Sequence, residues 1–389
     1  MSLRVAVLHH WFVTRGGGER VAECLAALLP SADLFTLVSS SEGLPRSLRN
    51  RRLTNSFLQS VPGAVQNHRH FLPVFPEAAR SLNLRDYDLV VSSDSGPVKA
   101  ARLKPGAVHL CYCHSPMRYL YDGYESYRKT MGPFTRALFS VTAPRVRRAD
   151  VNAAKRVTKF LANSAYVAER IRAAYGRQAD VVHPPIDLHR ARRNNPGNAY
   201  LAAGRLVSYK RTELMIEACE RLGRQLRIVG SGPEEARLRR MAGSKTTLLG
   251  SLPTDALWNE YSRARALLFA ADEDFGMVPL EAQSCGRPVI AYGVGGSLET
   301  VRATGEDGDS DELPPTGLFF AEQTADSLAE AILRFEATED RFVPDAAQAH
   351  AANFAMPIFL ANMRRQILSV KPEAGPLMAT IDQAMAAVE

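Results

Sequence analysis

Two carboxylates, Glu273 and Glu281, bracket the segment Glu273-Asp274-Phe275-Gly276-Met277-Val278-Pro279-Leu280-Glu281, and its surroundings set the chemistry open to them. Val278, Leu280, Ala282 and Cys285, then a Gly-Arg-Pro breaker and the apolar run 288–292, predict helix, turn and buried strand. Glu273 then precedes the helix and Glu281 lies on its body. The amides of Phe275, Gly276, Met277 and Val278 fall at a helix N-terminus, where donors lack partners and the macrodipole is positive. That setting suits phosphate or hydroxyl oxygens. Pro279 has no N–H, so the donors lie ahead of it. An acidic first turn on a solvated helix gives the same pattern by itself.

Other loops carry compatible chemistry. Thr14-Arg15-Gly16-Gly17-Gly18-Glu19-Arg20 leads into a helix over 21–29, and its glycines let the backbone approach a ligand. It is neither a Walker loop nor a Gly-x-Gly-x-x-Gly dinucleotide fingerprint. In the segment 203–211, Arg205 supplies a fixed donor fork and Lys210 a mobile point charge. Together they suit a diphosphate that gains charge as its bond to a sugar breaks. Gly230 in Val-Gly-Ser-Gly-Pro, and Gly250, Ser251 and Leu252 in Leu-Gly-Ser-Leu-Pro, mark two further turns, a pattern common in α/β proteins. His114 ends an apolar run, and Pro116 stops regular structure just beyond it. The cluster Cys111-Tyr112-Cys113-His114 is one residue short of a haem-attachment spacing, and no second Cys/His pair follows at zinc-site spacing.

The elements that must position these groups alternate along the chain. Apolar, β-branched runs at 5–8, 34–38, 89–92, 108–112, 160–163 and 181–183 are separated by helical patterns. The pattern restarts at 200–203, 226–229, 247–249, 267–270, 289–292 and 318–320. This predicts an α/β protein of two doubly wound, Rossmann-like domains with parallel strands. A polar stretch, 189–198, separates them, which gives domains over 1–185 and 199–350 and a linker over 186–198. Ligands of such sheets bind beyond the carboxyl ends of the strands, where all the loops above are expected. The acidic segment 306–315 reads as an inserted loop, and a helix is expected over 359–368 before a tail that frays beyond Lys371.

In family order over residues 16–299, these motifs resemble the retaining GT-B glycosyltransferases of family four. The carboxylate, Phe-Gly and Pro-Leu-Glu-Ala string is similar to the family's Glu-x7-Glu signature. The resemblance implies that Glu273 and the following amides hold the donor sugar and Glu281 the ribose hydroxyls. Gly16, Gly17 and Gly18 match the loop that approaches donor phosphate and acceptor, and Arg205 and Lys210 match the Gly-Arg-Leu...Lys pattern. Gly230 and Gly250-Ser251-Leu252 match strand-end turns, the second lying against the base. His114 matches a strand-end His that contacts the donor sugar. Residues 351–389 correspond to terminal helices that pack back toward the first domain. The string from Tyr112 to Asp122 resembles the bacterial O-antigen and exopolysaccharide mannosyltransferase branch. The implied activity is metal-independent transfer of a hexose from a nucleotide-diphosphate sugar, GDP-mannose before UDP-sugars. The acceptor would be a polyprenyl-linked precursor or an oligosaccharide in surface polysaccharide synthesis. No separate cofactor is implied, since the nucleotide sugar is a substrate. A nucleotide-sugar epimerase of the same fold and a non-catalytic binding protein are the alternatives.

Composition bounds these readings. With 389 residues, 46% hydrophobic and 23% charged, the chain fits a globular protein of two domains. No run reaches the roughly 18 apolar residues of a spanning helix, and the N-terminus lacks a signal-peptide pattern. Five cysteines fit a reducing compartment, so a cytoplasmic location is expected. A net charge of +7 admits anionic partners, but aromatic-interleaved nucleic-acid motifs are missing. Phe134, Phe139, Arg145, Arg147 and Arg148 join apolar and basic residues at near-helical spacing, as in a helix lying on an anionic membrane face. A solvated cationic surface is the other reading of the same run.

Overall fold

The computed structural model describes residues 3–303 and 313–388, and most of the expected acidic loop at 306–315 lies outside them. The chain divides into two compact units, Met1–Pro185 with Met356–Glu389, and Ile186–Ala355.

The first unit is built on β1 (Val5–Phe12), β2 (Asp33–Ser39), β3 (Leu53–Asn55), β5 (Leu89–Asp94), β7 (Val108–Cys113), β8 (Lys159–Ala162) and β9 (Ala179–Val181), with a two-residue pair β4 (Asn83–Leu84) and β6 (Arg102–Leu103) apart from them. The seven strands pair in parallel in the order β3-β2-β1-β5-β7-β8-β9. Alternate residues explain why the strands read as continuous apolar runs. Val5, Val7, Leu89 and Val91 face one core, with Leu25 and Tyr112, while Ala6, Leu8 and Val90 face another, with Phe35 and Phe75. The order reverses between β1 and β5, and that crevice is where such sheets bind ligands.

The helix Met356–Val370 closes the first core by inserting Phe359, Leu360, Met363 and Ile367, with Phe359 set edge-on to Tyr112 at 5.8 Å. The tail beyond Lys371 does not fray as expected. Ala379 N–H donates to the Leu28 carbonyl and Arg364 donates to the Ala379 carbonyl, and a capping box between Thr380 and Gln383 starts the last helix, Ile381–Ala386.

The second unit holds β10 (Tyr200–Ala203), β11 (Leu226–Val229), β12 (Thr246–Gly250), β13 (Leu267–Phe269), β14 (Val289–Tyr292) and β15 (Gly317–Phe320), all parallel, in the order β12-β11-β10-β13-β14-β15. Here the reversal falls between β10 and β13.

Three expectations need correction. The stretch 186–198 is not a free linker: Ile186 bridges Ala355, Arg287 donates to the Asn194 carbonyl and Gly197 N–H to that of Arg263, so it is strapped along the second unit. Residues 351–355 stay with that unit too, because Ala351 and Phe354 share a core with Ile186, Phe275 and Leu280. The strand expected over 181–183 runs instead over Ala179–Val181, an edge strand whose Asp180 and Val181 are exposed and break the apolar pattern.

Candidate active site

In the second unit the loops after β10, β11, β12 and β13 converge. Leu206 N–H donates to the Ser231 carbonyl and Gly230 N–H to that of Gly250, while the Ser231 and Ser251 hydroxyls pair at 2.8 Å. This packing requires a glycine at 230: its φ is +144°, and a Cβ there would fall 1.8 Å from the Gly204 carbonyl oxygen. Leu252 is partly buried against the core, which leaves backbone and Ser251 at the turn. Arg211, at φ +52°, is the one non-glycine in the left-handed region among the described residues, held by Glu213 and Gln323. It turns the chain into the helix Thr212–Leu222 and leaves Lys210 pointing back under Gly204.

Lys210 forms an ion pair with Glu273, and its ammonium lies 5.5 Å from the Phe269 ring centre. Burial lowers the Lys210 ammonium to about 8, with Glu281 acting against it. At about 8 the ammonium is still mostly charged near pH 7. Arg205 is exposed, with no ion-pair partner among the described residues. Glu273 itself is pinned in extended backbone, bridging Gly295, while Gly296 N–H donates to its carbonyl.

The helix Met277–Ser284 follows, capped by Gly276 at φ +90°, so the amides of Gly276, Met277 and Val278 begin it with no carbonyl one turn ahead. The Phe275 ring is a core anchor against Phe354 at 5.8 Å, so only its backbone faces the site. Glu281 lies on the body of this helix, where its Oε2 accepts the Tyr261 hydroxyl proton at 2.6 Å. Burial raises its carboxyl above the usual range, while Tyr261 and Lys210 pull it back.

In the first unit, His114 caps the sheet at the β1/β5 reversal. Its Nε2 lies 2.7 Å from the Ser93 hydroxyl, and its amide donates to the Asp94 carbonyl. His9 and His10 place their Nδ1 atoms 3.0 and 3.3 Å from the Ser93 carbonyl. Gly18 packs on this cluster, since a Cβ there would sit 3.6 Å from both His114 and His9. Gly16 and Gly17 cap and open the helix Gly17–Leu28. Burial lowers His114 to about 4 and His10 to about 3, so both are neutral near pH 7. His114 is therefore a neutral hydrogen-bonding group, not a cation. The partners His9, His10 and Ser93 were missed in the sequence, although two adjacent histidines within the first strand, Val5–Phe12, were a usable signal.

The basic and apolar run resolves into one face of the helix Pro133–Ala154. Phe134, Leu138 and Val141 are 83, 50 and 61% exposed, and Arg145 and Arg148 continue the same stripe. Phe139 and Arg147 do not belong to it. Phe139 is buried and stacked on Tyr124 at 5.3 Å, and the Arg147 guanidinium lies over the Tyr121 and Tyr124 rings. Among the described residues no helix is long and apolar enough to cross a membrane.

Two parallel, doubly wound units define the GT-B class of fold. A structure of Anabaena Alr3699/HepE in complex with UDP superposes with a TM-score of 0.67 at 16% identity, over 94% of this chain and 100% of that one. The lipopolysaccharide outer core galactosyltransferase WaaB gives 0.61 at 17% identity, over 94% and 99%. Two family models match in succession, Glycosyltransferase Family 4 over residues 15–190 and Glycosyl transferases group 1 over residues 187–351. The chain belongs to these group 1/family 4 glycosyltransferases.

A D-inositol 3-phosphate glycosyltransferase of Mycobacteroides abscessus is 32% identical over 201 residues, 45% of this chain and 43% of that protein. A GDP-mannose-dependent monoacylated alpha-(1-6)-phosphatidylinositol monomannoside mannosyltransferase of Corynebacterium glutamicum is 30% identical over 203 residues, 44% and 50%. The matched stretch spans about half the length of these curated relatives.

Proposed function

We propose that the protein is a retaining hexosyltransferase that moves a sugar, mannose from GDP-mannose before a UDP-sugar, onto a lipid-linked or oligosaccharide acceptor of bacterial surface polysaccharide synthesis. The observation that carries this reading is the convergence of Glu273, Lys210, Arg205 and the helix amides of 276–278 beyond the β10/β13 reversal, with Glu281 one turn along the helix. The GDP-mannose dependence and acylated acceptor named for the Corynebacterium relative support the donor and acceptor class.

In this reading Glu273 and the amides position the sugar and Glu281 accepts from the ribose hydroxyls. The bond between the anomeric carbon and the diphosphate oxygen breaks, and Arg205 and Lys210 meet the growing charge. The acceptor hydroxyl attacks the same face, and its proton passes to the departing phosphate oxygen. His114, as a neutral ring, is read as a hydrogen-bonding group for a ligand hydroxyl. A divalent metal has no role in this scheme. A panel of GDP- and UDP-sugars assayed with excess chelator tests it: transfer should persist, and activity abolished by EDTA and restored by a divalent ion would refute it. Glu281→Ala should weaken GDP binding about ten- to a hundredfold, as loss of a charged hydrogen-bond acceptor predicts. Unchanged affinity would remove Glu281 from the ribose.

The acceptor's lipid would be met at an anionic membrane face through Phe134, Leu138, Val141, Arg145 and Arg148. Each basic residue near such a leaflet contributes about 1 kcal/mol, and the exposed apolar residues add burial in the interface. Arg145→Glu/Arg148→Glu should cut co-sedimentation with phosphatidylserine vesicles at least tenfold, whereas Arg147→Glu, on the inner side of the helix, should act mainly on stability. Equal binding by wild type and the double variant at low and high salt would leave the stripe as solvated surface.

A further inference from the structure

Tyr261 is among the most buried large side chains of the protein, 1% exposed, yet it ends in a hydroxyl. It lies on the helix Thr254–Arg263, and its ring is locked in an apolar core with Leu267, Phe269 and Cys285, at 5.8 Å and 75° from Trp258. Phenylalanine would satisfy that packing. The hydroxyl makes one hydrogen bond, donating to Glu281 Oε2, and no described residue donates to the other oxygen, Oε1. Left alone, a glutamate carboxylate rotates freely about its last torsion. Tied to a phenol that cannot move, it holds one orientation.

We propose that Tyr261 is a positioning residue for nucleotide recognition, fixing the Glu281 carboxylate so that Oε1 is presented to the ribose hydroxyls of the donor. This rests on the reading that Glu281 faces the ribose. The phenol is a dependable donor, because burial and the Glu281 charge keep its proton in place well past neutral pH. It also keeps the carboxylate ionised against the opposing effect of burial. The ionised form accepts more strongly from hydroxyls.

The test is calorimetric binding of GDP and UDP, and of their 2′,3′-dideoxy forms, to wild type and Tyr261→Phe. Wild type should prefer the ribonucleotide. In Tyr261→Phe that preference should shrink by about fivefold, as expected when a supporting hydrogen bond is lost, with dideoxy binding unchanged. With the phenol gone the carboxyl takes up its proton more readily, so ribonucleotide affinity should start to fall at a higher pH as the solution is acidified. An unchanged preference with an unchanged pH profile overturns the proposal, and so does an equal loss for both nucleotide forms, which marks a structural role. A wild type that binds both forms equally refutes the ribose reading itself, and the proposal with it.

Discussion

Lys210→Ala is expected to lower kcat about 10²–10³-fold, the usual cost of removing one preorganised group at a developing anion, while KM for the donor shifts less than tenfold. In the proposed mechanism the asymmetry follows from where the charge appears. In the ground state the diphosphate shares its charge with the sugar ester, and Lys210 already has a partner in Glu273. Only as the glycosidic bond breaks does the leaving oxygen gain charge that competes for the ammonium. In that scheme, releasing Lys210 from its ion pair to the diphosphate also frees the Glu273 carboxylate for sugar hydroxyls, so the two proposed roles are coupled. Glu273→Gln should lower kcat as well, yet bind sugar-free GDP at least as tightly as wild type, because Lys210 no longer has a competing carboxylate. The pH profile gives an independent reading. Burial sets the Lys210 ammonium at about 8, so its charge is present below that value and lost as pH rises through it. kcat/KM should therefore fall above pH of about 8, and the limb should vanish in Lys210→Arg, whose guanidinium stays charged. A rate loss confined to KM, or a flat alkaline profile, would take Lys210 out of the transition state.

What was legible in the sequence was what lies within single loops. Arg205, Lys210, Glu273 and Glu281 sit in short segments whose residue types and spacing survive without knowledge of the fold, and the buried strands announce themselves because both faces of each sheet are covered. Groups defined by long-range contact were not legible. Tyr261 meets Glu281 from 20 positions away, and Ser93 meets His9 across 84. The packing need at Gly230 was not legible either, because a glycine needed for backbone packing and one needed for a ligand look alike until the neighbouring carbonyl is placed. Phe139 and Arg147 were grouped with Phe134 and Arg145 for a related reason. A window of sequence gives helical spacing, but which face is outward depends on Tyr121 and Tyr124, the rings that cover the inner one.

Lys99→Met is expected to destabilise the first unit by about 3–5 kcal/mol, the cost of stripping the partner from buried charge, and to lower its unfolding midpoint by about 10 °C. Lys99 is 2% exposed and its ammonium lies 3.1 Å from Asp94 Oδ2 and 2.7 Å from Asp150 Oδ1, with the Gly96 carbonyl also accepting at 2.7 Å. Asp150 Oδ2 accepts from the Tyr121 and Tyr175 hydroxyls as well. One cation thus joins the end of β5, the helix Pro133–Ala154 and the helix Ala165–Tyr175. Burial opposes its charge, but Asp150 and Asp94 hold its ammonium well above the usual lysine value, so wild type keeps this contribution across the neutral range. With methionine in its place, two carboxylates remain buried without a counter-charge, and Asp94, whose carboxyl burial already pushes up against the pull of Lys99, would take up its proton at a higher pH still. An acid whose folded pKa is raised binds more protons folded than unfolded, so the penalty is full above the folded value and shrinks as pH falls toward the unfolded one. The deficit of Lys99→Met should therefore be largest near pH 7 and smaller at pH 5. Adding Asp94→Asn and Asp150→Asn should recover most of it, since the amides keep acceptors for Gly96 N–H and the two phenols while removing the charge. Because Ser93, the partner of His114, is the neighbour of Asp94, the recovered triple variant should also regain turnover if the network serves only to hold the end of β5. A Lys99→Met protein as stable as wild type at pH 7, or one whose deficit grows on acidification, would show that these charges are not paired in the folded protein.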